Sequence, residues 1–312
     1  LARRRRAAAA LLILVLCNAA YALLYEINED KDAYYITTFM AAALAAGTGL
    51  AVIMDGLVRK GWKRAGDFAP LSLLLPVALL VIHWPDCDRS RDHRAGLVLA
   101  QLDRELPDRA LVLTMEWQVY SPWLYQRHVE NFRPDLTIID VNLMRRTWYL
   151  EYLQRVYPAV MTEVKDEAAA FLELLWAFEY DQPYDAGMIQ KRYLELLQAL
   201  IAAGLRRGGG FVMLPMEQGV GTGLQWVPWG LTYRMLTVDQ PLPAPSLLKP
   251  PPIHSWLYGK SDLGGKKLRW LYGFMSAQQA RWFHEHDRPE AAARLASQGL
   301  SLVKQGEPYP GK

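Results

Sequence analysis

The stretch Ala110-Leu111-Val112-Leu113-Thr114-Met115, with Glu116-Trp117-Gln118 after it and Leu136-Thr137-Ile138-Ile139-Asp140-Val141 further on, decides the fold of the larger part of the chain. Both apolar runs have strand length, and Ser121 to Asn131 between them has helical spacing through Trp123, Leu124, Tyr125 and Val129. Strand, helix, strand implies a parallel pair. Downstream, about Glu163 to Phe178 and about Met188 to Leu205 read as long amphipathic helices. Arg206-Arg207-Gly208-Gly209-Gly210 stops the second of them, and Phe211 to Leu214 and Leu231 to Val238 read as later strands. Residues 85–240 are therefore expected to form an α/β domain.

Beyond it, Pro241, Pro243, Pro245, Pro250, Pro251 and Pro252 mark a linker or surface strap over 241–266, since proline cannot feed a central ladder. Residues 267–312 read as a helical hairpin, about Lys267 to His286 and Pro289 to Val303. The turn at Asp287-Arg288-Pro289 and Ala291, Ala292, Ala293 and Ala296 give it a tetratricopeptide-like look. One hairpin makes no solenoid, so it either docks on the α/β part or begins an array.

Upstream the composition changes. The chain has 312 residues, 52% hydrophobic and 21% charged with a formal net charge of +3, but residues 1–84 are apolar runs between tight charge clusters. That pattern excludes a purely soluble enzyme and a disordered tail. Three transmembrane helices are expected, at about residues 7–25, 33–55 and 68–84, because about 20 residues cross the hydrocarbon. Arg3 to Arg6 and the Arg59, Lys60, Lys63, Arg64 cluster fall on the cytoplasmic side, and Glu26, Glu29, Asp30 and Asp32 on the outer side. Everything after Trp84 is then extracytoplasmic. A cleaved signal peptide ending at Ala20-Tyr21-Ala22 is the competing reading of the start. The second segment, rich in alanine and glycine from Ala41 to Ala51, suits close helix packing, or reflects only an alanine-rich genome. The first residue is Leu, so further helices are expected before it. Cys17 and Cys87 are too few for a disulfide framework or a cysteine zinc site, and no basic stripe points to nucleic acid.

The candidate chemistry is sparse. Glu116 follows the first strand, where open parallel sheets bind ligands, and Trp117 and Trp123 offer faces for a sugar. The alternative makes Glu116 a helix-start carboxylate and the tryptophans seals. Glu26, Asp30 and Asp32 can meet a metal or polar substrate, or simply be the acidic side of an outer turn. Asp86, Asp88 and Asp92 are interleaved with arginines and make a poor calcium loop. Gly219, Gly221 and Gly223 lack the helix a dinucleotide fingerprint needs.

Several blocks in order carry a resemblance: Asp32-Ala33-Tyr34-Tyr35, Trp84-Pro85, Asp88-Arg89-Ser90-Arg91-Asp92, Trp123-Leu124-Tyr125-Gln126, Val129 to Thr137 with Arg133-Pro134-Asp135, and Val141 to Tyr149. The chain resembles the C-terminal half of membrane proteins of uncharacterised-domain family 2723, also classed as glycosyltransferase family 117 and related to animal protein O-mannosyltransferases. The resemblance implies a GT-C type bundle in the bacterial cytoplasmic membrane. Its donor would be a polyprenyl-phosphate-linked sugar, its acceptor a protein or glycan on the outer face, and a divalent cation would balance the leaving phosphate. The catalytic acid would lie in an N-terminal half outside this chain, so no catalytic residue carries over. Glu26, Asp30 and Asp32 would border the donor, and Glu116, Trp117 and Trp123 the acceptor. A membrane-anchored binding or scaffold protein without catalysis is the rival.

Overall fold

The computed structural model describes residues 2–24, 35–62, 70–71, 73–90, 92–213, 219–250 and 263–303. They divide into two compact units, with the boundary between Asp88 and Arg89.

The first unit holds helices α1 (Ala2–Leu24), α2 (Ile36–Arg59) and α3 (Leu74–Cys87). The expectation of three spans does not hold. Among the described residues only α2 is long and apolar enough to cross a membrane, with mean hydropathy 1.9 over its best window. The apolar parts of α1 and α3 are only Ala8–Leu24 and Leu74–Pro85. At 1.5 Å per residue these reach roughly 25 and 18 Å, against about 30 Å of hydrocarbon. The arginines shorten the first, and the third becomes helical only at Leu74, after Pro70. Helix α1 packs on α2, where Thr38 donates to Asn18 Oδ1 at 2.7 Å. Gly47, Gly49 and Gly56 on α2 face open space, so the expected set of close helix neighbours is not present within the described residues. Among the described residues the expected part of a GT-C bundle, three spanning helices, is therefore not present.

The second unit is built on a five-stranded mixed sheet in the order β2-β1-β3-β5-β4. Strands β1 (Leu111–Thr114), β2 (Thr137–Asp140) and β3 (Gly210–Val212) are parallel, and β4 (Leu224–Trp229) and β5 (Thr232–Thr237) form an antiparallel hairpin joined to β3 through β5. Before β1 lies α4 (Arg94–Glu105), and α5 (Trp117–Val129) connects β1 to β2. From β2 the chain runs through α6 (Thr147–Val156), α7 (Pro158–Glu163), α8 (Lys165–Glu179) and α9 (Ala186–Arg207) to β3. The expected parallel β1–β2 pair is present, with Leu111 opposite Thr137 and Thr114 opposite Asp140. Every residue of both strands is buried, as parallel strands covered on two faces require. Helix α9 presses closely on the sheet: a Cβ on Gly204 would come 3.1 Å from Leu111 Cβ and 3.2 Å from Gly210 Cα.

β2 is an edge strand whose outward backbone groups are met by tyrosines. Tyr149 Oη accepts from the Asp140 N–H at 3.0 Å, and Tyr157 Oη donates to the Ile138 carbonyl at 3.3 Å. Two hydroxyls thus cover the polar edge that would otherwise template another strand.

After β5, residues 241–250 run without regular structure and dock on a helical hairpin of α10 (Leu263–Glu285) and α11 (Pro289–Leu302); residues 251–262 of the proline-rich segment lie outside the described residues. Two glutamines grip this strap. Buried Gln279 accepts from Leu248 N at 3.0 Å and donates to Ser246 O at 2.9 Å, and Gln298 donates to Leu248 O at 3.2 Å. The hairpin docks on the sheet unit, as one of the two expectations held: Leu268, Leu271, Tyr272 and Met275 belong to the same core as the strands. The two helices meet through Gly273 and Gly299. Ala293 and Ala296, two of the alanines behind the tetratricopeptide-like reading, are exposed, and among the described residues no repeat array is present.

Candidate functional site

From β1 the chain moves to one side, to β2, and then returns across β1 to β3 on the other. The connections diverge at the carboxyl ends of β1 and β3, the place where open α/β sheets leave a crevice. On the β1 side stand Thr114, Met115 and Glu116, and on the β2 side Asp140; residues 214–218 after β3 lie outside the described residues.

Thr114 and Asp140 are register partners, so their strands end level. Thr114 Oγ1 accepts from the Glu116 N–H at 3.0 Å, which folds the chain out of β1. Glu116 then takes the N-cap position of α5, but its side chain makes no capping bond and is 3% exposed. Glu116 thus stands at a helix start, the place the second sequence alternative gives it, without a side-chain capping bond. Asp140 is equally buried, and its Oδ1 accepts from Asn142 N at 2.8 Å and Leu143 N at 3.1 Å. Burial raises its pKa from the ordinary aspartate value, while these two N–H groups oppose the rise. Two bonds on one carboxylate oxygen tie Asp140 to its own loop and shape that loop.

The two tryptophans proposed from sequence separate. Trp117 is 52% exposed on the first turn of α5, and Trp123 is 1% exposed. Trp123 is packed edge-on to Phe132 with protein on every side, so it offers no face to a sugar. Its burial follows from helix geometry: Val119, Tyr120 and Trp123 share the inward face of α5. Sequence reasoning missed a second exposed indole. Trp148, at the start of α6, is 53% exposed and packs edge-on to Tyr149 at 5.5 Å. Tyr149 and Tyr120 share a buried hydroxyl–hydroxyl bond of 2.6 Å, and Tyr120 lies 6.1 Å from the Trp117 ring. A chain of four rings therefore joins two surface indoles beside two buried carboxylates. The available signal was the cluster Thr147-Trp148-Tyr149, which sequence reading used only as part of a resemblance.

Glu26, Asp30 and Asp32 lie outside the described residues. Among the described residues, no group of three or more His, Cys, Asp or Glu side chains is placed to hold a metal ion, so the divalent cation finds no ligand set there.

Arg133-Pro134-Asp135, the most specific block of the resemblance, sits at the opposite, amino-terminal end of the strands and is architectural. The Arg133 guanidinium binds Asp135 Oδ1 at 2.9 Å and Asp103 Oδ1 at 2.8 Å and reaches the Pro107 carbonyl, while Asp135 accepts from Arg109 N. The glycine run is also architectural: Gly219, Gly221 and Gly223 all have positive φ and lead into β4, and the Trp226 indole lies where a Cβ on Gly221 would go.

No protein-family model matches the chain, and neither a curated protein nor a solved structure shows similarity to it.

Proposed function

We propose that the α/β unit is the non-catalytic, acceptor-binding part of a membrane glycosyltransferase that takes its sugar from a polyprenyl-phosphate donor. The observation that carries this reading is the Trp117–Tyr120–Tyr149–Trp148 ring chain at the carboxyl edge. Half-exposed indoles offer broad, rigid, amphipathic faces of the kind that line ligand sites. The sequence blocks that resemble glycosyltransferase family 117 supply the reaction class, and with it an outer-face position at the bacterial cytoplasmic membrane.

In this reading a carboxylate outside the α/β unit removes the acceptor hydroxyl proton. The acceptor oxygen bonds the anomeric carbon as the bond to the polyprenyl phosphate breaks, and the phosphate leaves with the electron pair. The carboxyl edge only holds and orients the acceptor. Glu26, Asp30 and Asp32 would border the donor headgroup.

The test compares membranes of cells that produce the full protein with membranes of cells that lack it, using radiolabelled hexosyl-phosphoryl polyprenol. Label transferred to protein or glycan only when the protein is present supports the reading. Equal label in both contradicts it and favours the rival, a binding module without transfer chemistry.

A further inference from the structure

The outward face of α8 is unlike an ordinary solvated helix. Its inward face is Ala168, Phe171 and Leu175, all buried. On the other side Asp166, Ala169, Glu173, Trp176 and Tyr180 recur at three- and four-residue intervals, and all are exposed. Trp176 is 53% and Tyr180 56% exposed, with their rings 4.9 Å apart. Phe178 and Tyr184 form a second exposed ring pair at 5.2 Å. Clustered apolar surface of this kind is not needed by the unit's own core and marks an interaction site.

The charge around the rings says what fits. Between Asp166 and Gln190 the chain carries six carboxylates, Asp166, Glu167, Glu173, Glu179, Asp181 and Asp185, and no Lys, Arg or His. This stands in a chain whose formal net charge is +3. Two of the six are spent internally. Glu179 accepts from the Thr147 N–H and hydroxyl at the start of α6, and Asp185 caps α9 by accepting from Met188 N. Asp181 lies just past the carboxyl end of the stripe, Glu173 on it, and Asp166 and Glu167 at its amino-terminal end. There a cleft of about 700 Å³ opens between α8 and α9, lined by Asp166, Glu167, Glu195 and three alanines, with Arg192 paired to Glu195 at 2.7 Å.

We infer that the α8 stripe, from this cleft to the Trp176–Tyr180 pair, docks a Lys- or Arg-rich amphipathic segment of a partner protein. Its cations would meet the carboxylates and the open ring faces, and its apolar side would cover the indole. The stripe is about 22 Å long at 1.5 Å per residue, the length of a partner helix of about four turns. The inference is independent of any transfer reaction.

The experiment titrates the full chain in detergent against a labelled amphipathic Lys/Leu helical peptide, with a Glu/Leu counterpart as control, and reads fluorescence anisotropy. The Lys peptide is expected to bind saturably and more weakly as salt rises, and the Glu peptide not to bind. Trp176→Ala with Tyr180→Ala, and separately Glu173→Lys, should each weaken binding about tenfold or more. All three positions are exposed, so an unchanged unfolding midpoint accompanies the loss, and Glu173→Gln serves as a milder second variant. Equal binding by wild type and variants, equal binding of the Glu peptide, or displacement of the peptide by phosphatidylcholine vesicles would overturn the inference.

Discussion

The carboxylate of Glu105, at the end of α4, fills the space that a side chain at Gly230 would need, and the next residue, Leu231, donates its N–H to Glu105 Oε2 at 2.9 Å. Gly230 has φ +57 in the turn between β4 and β5. The Trp229 indole donates to the Glu105 carbonyl at 3.0 Å, and the Gln101 amide also holds the carboxylate. One buried acid thus fastens the antiparallel hairpin to the helix that precedes β1.

Gly230→Ala is expected to destabilise the α/β unit by about 3 kcal/mol or more, since both the left-handed turn and the Glu105 contact are lost. Urea unfolding followed by tryptophan fluorescence checks this; a midpoint equal to wild type would show that the hairpin tolerates release from Glu105.

The same carboxyl gives the fold a pH dependence. Burial pushes the Glu105 pKa up to about 7, against hydrogen bonds from Gln101 and Leu231 that lower it. The folded state therefore binds the proton more tightly than the unfolded chain, and stability falls as pH rises from about 4.5 to 7, by roughly 3 kcal/mol in all. Unfolding midpoints at intervals across this range should decline for wild type. Glu105→Gln should remove that decline, and a variant that keeps the full slope would place the titration elsewhere.

At the amino-terminal end of the strands the sign is opposite. The Arg133 guanidinium holds the Asp135 pKa down at about 2, so this pair's contribution is present above about pH 4 and is lost as pH falls toward 2. Arg133→Lys, which loses the forked geometry that reaches Asp103 and Asp135 together, should cost about 1 to 3 kcal/mol at neutral pH. Equal stability of the lysine variant would show that charge alone suffices.

The strap depends on buried Gln279. Gln279→Leu leaves the Leu248 N–H and Ser246 carbonyl without their partner, and about 1 to 3 kcal/mol of local stability should go with it. Limited proteolysis between residues 241 and 250 should then accelerate relative to wild type. Identical cleavage would mean that Pro245 and Leu248, both buried against the unit, hold the strap unaided.

Parts of this arrangement are plain in the sequence and parts are not. The β1 and β2 runs are legible because strands buried on both faces must be continuously apolar. Strand β4 is not, because Leu224–Trp229 contains Pro228 and follows three glycines, signals that ordinarily mark a loop. Helices α4 and α6 were hidden for a different reason: polar Gln101 and Glu105 and ringed Tyr149 are buried, Glu105 beneath the β4–β5 turn and Tyr149 against Tyr120 and β2. The three apolar segments of the first unit are evident, but among the described residues only α2 is both long and apolar enough to cross a membrane; the arginines leave α1 with a shorter apolar stretch. Near the carboxyl edge, the position of Glu116 just after β1 is legible from the strand run alone. Trp123 was misjudged because its spacing with Val119 and Tyr120 puts it on the inward face, and Trp148 was passed over.

The most direct test of the central claim is the kinetic effect of Trp117→Ala with Trp148→Ala on hexosyl transfer in membranes containing the full protein. Both side chains are about half exposed, so the fold should survive their loss. The account predicts an acceptor KM raised about tenfold, with the donor KM and protein abundance unchanged. Transfer kinetics identical to wild type would contradict the claim that this edge binds the acceptor.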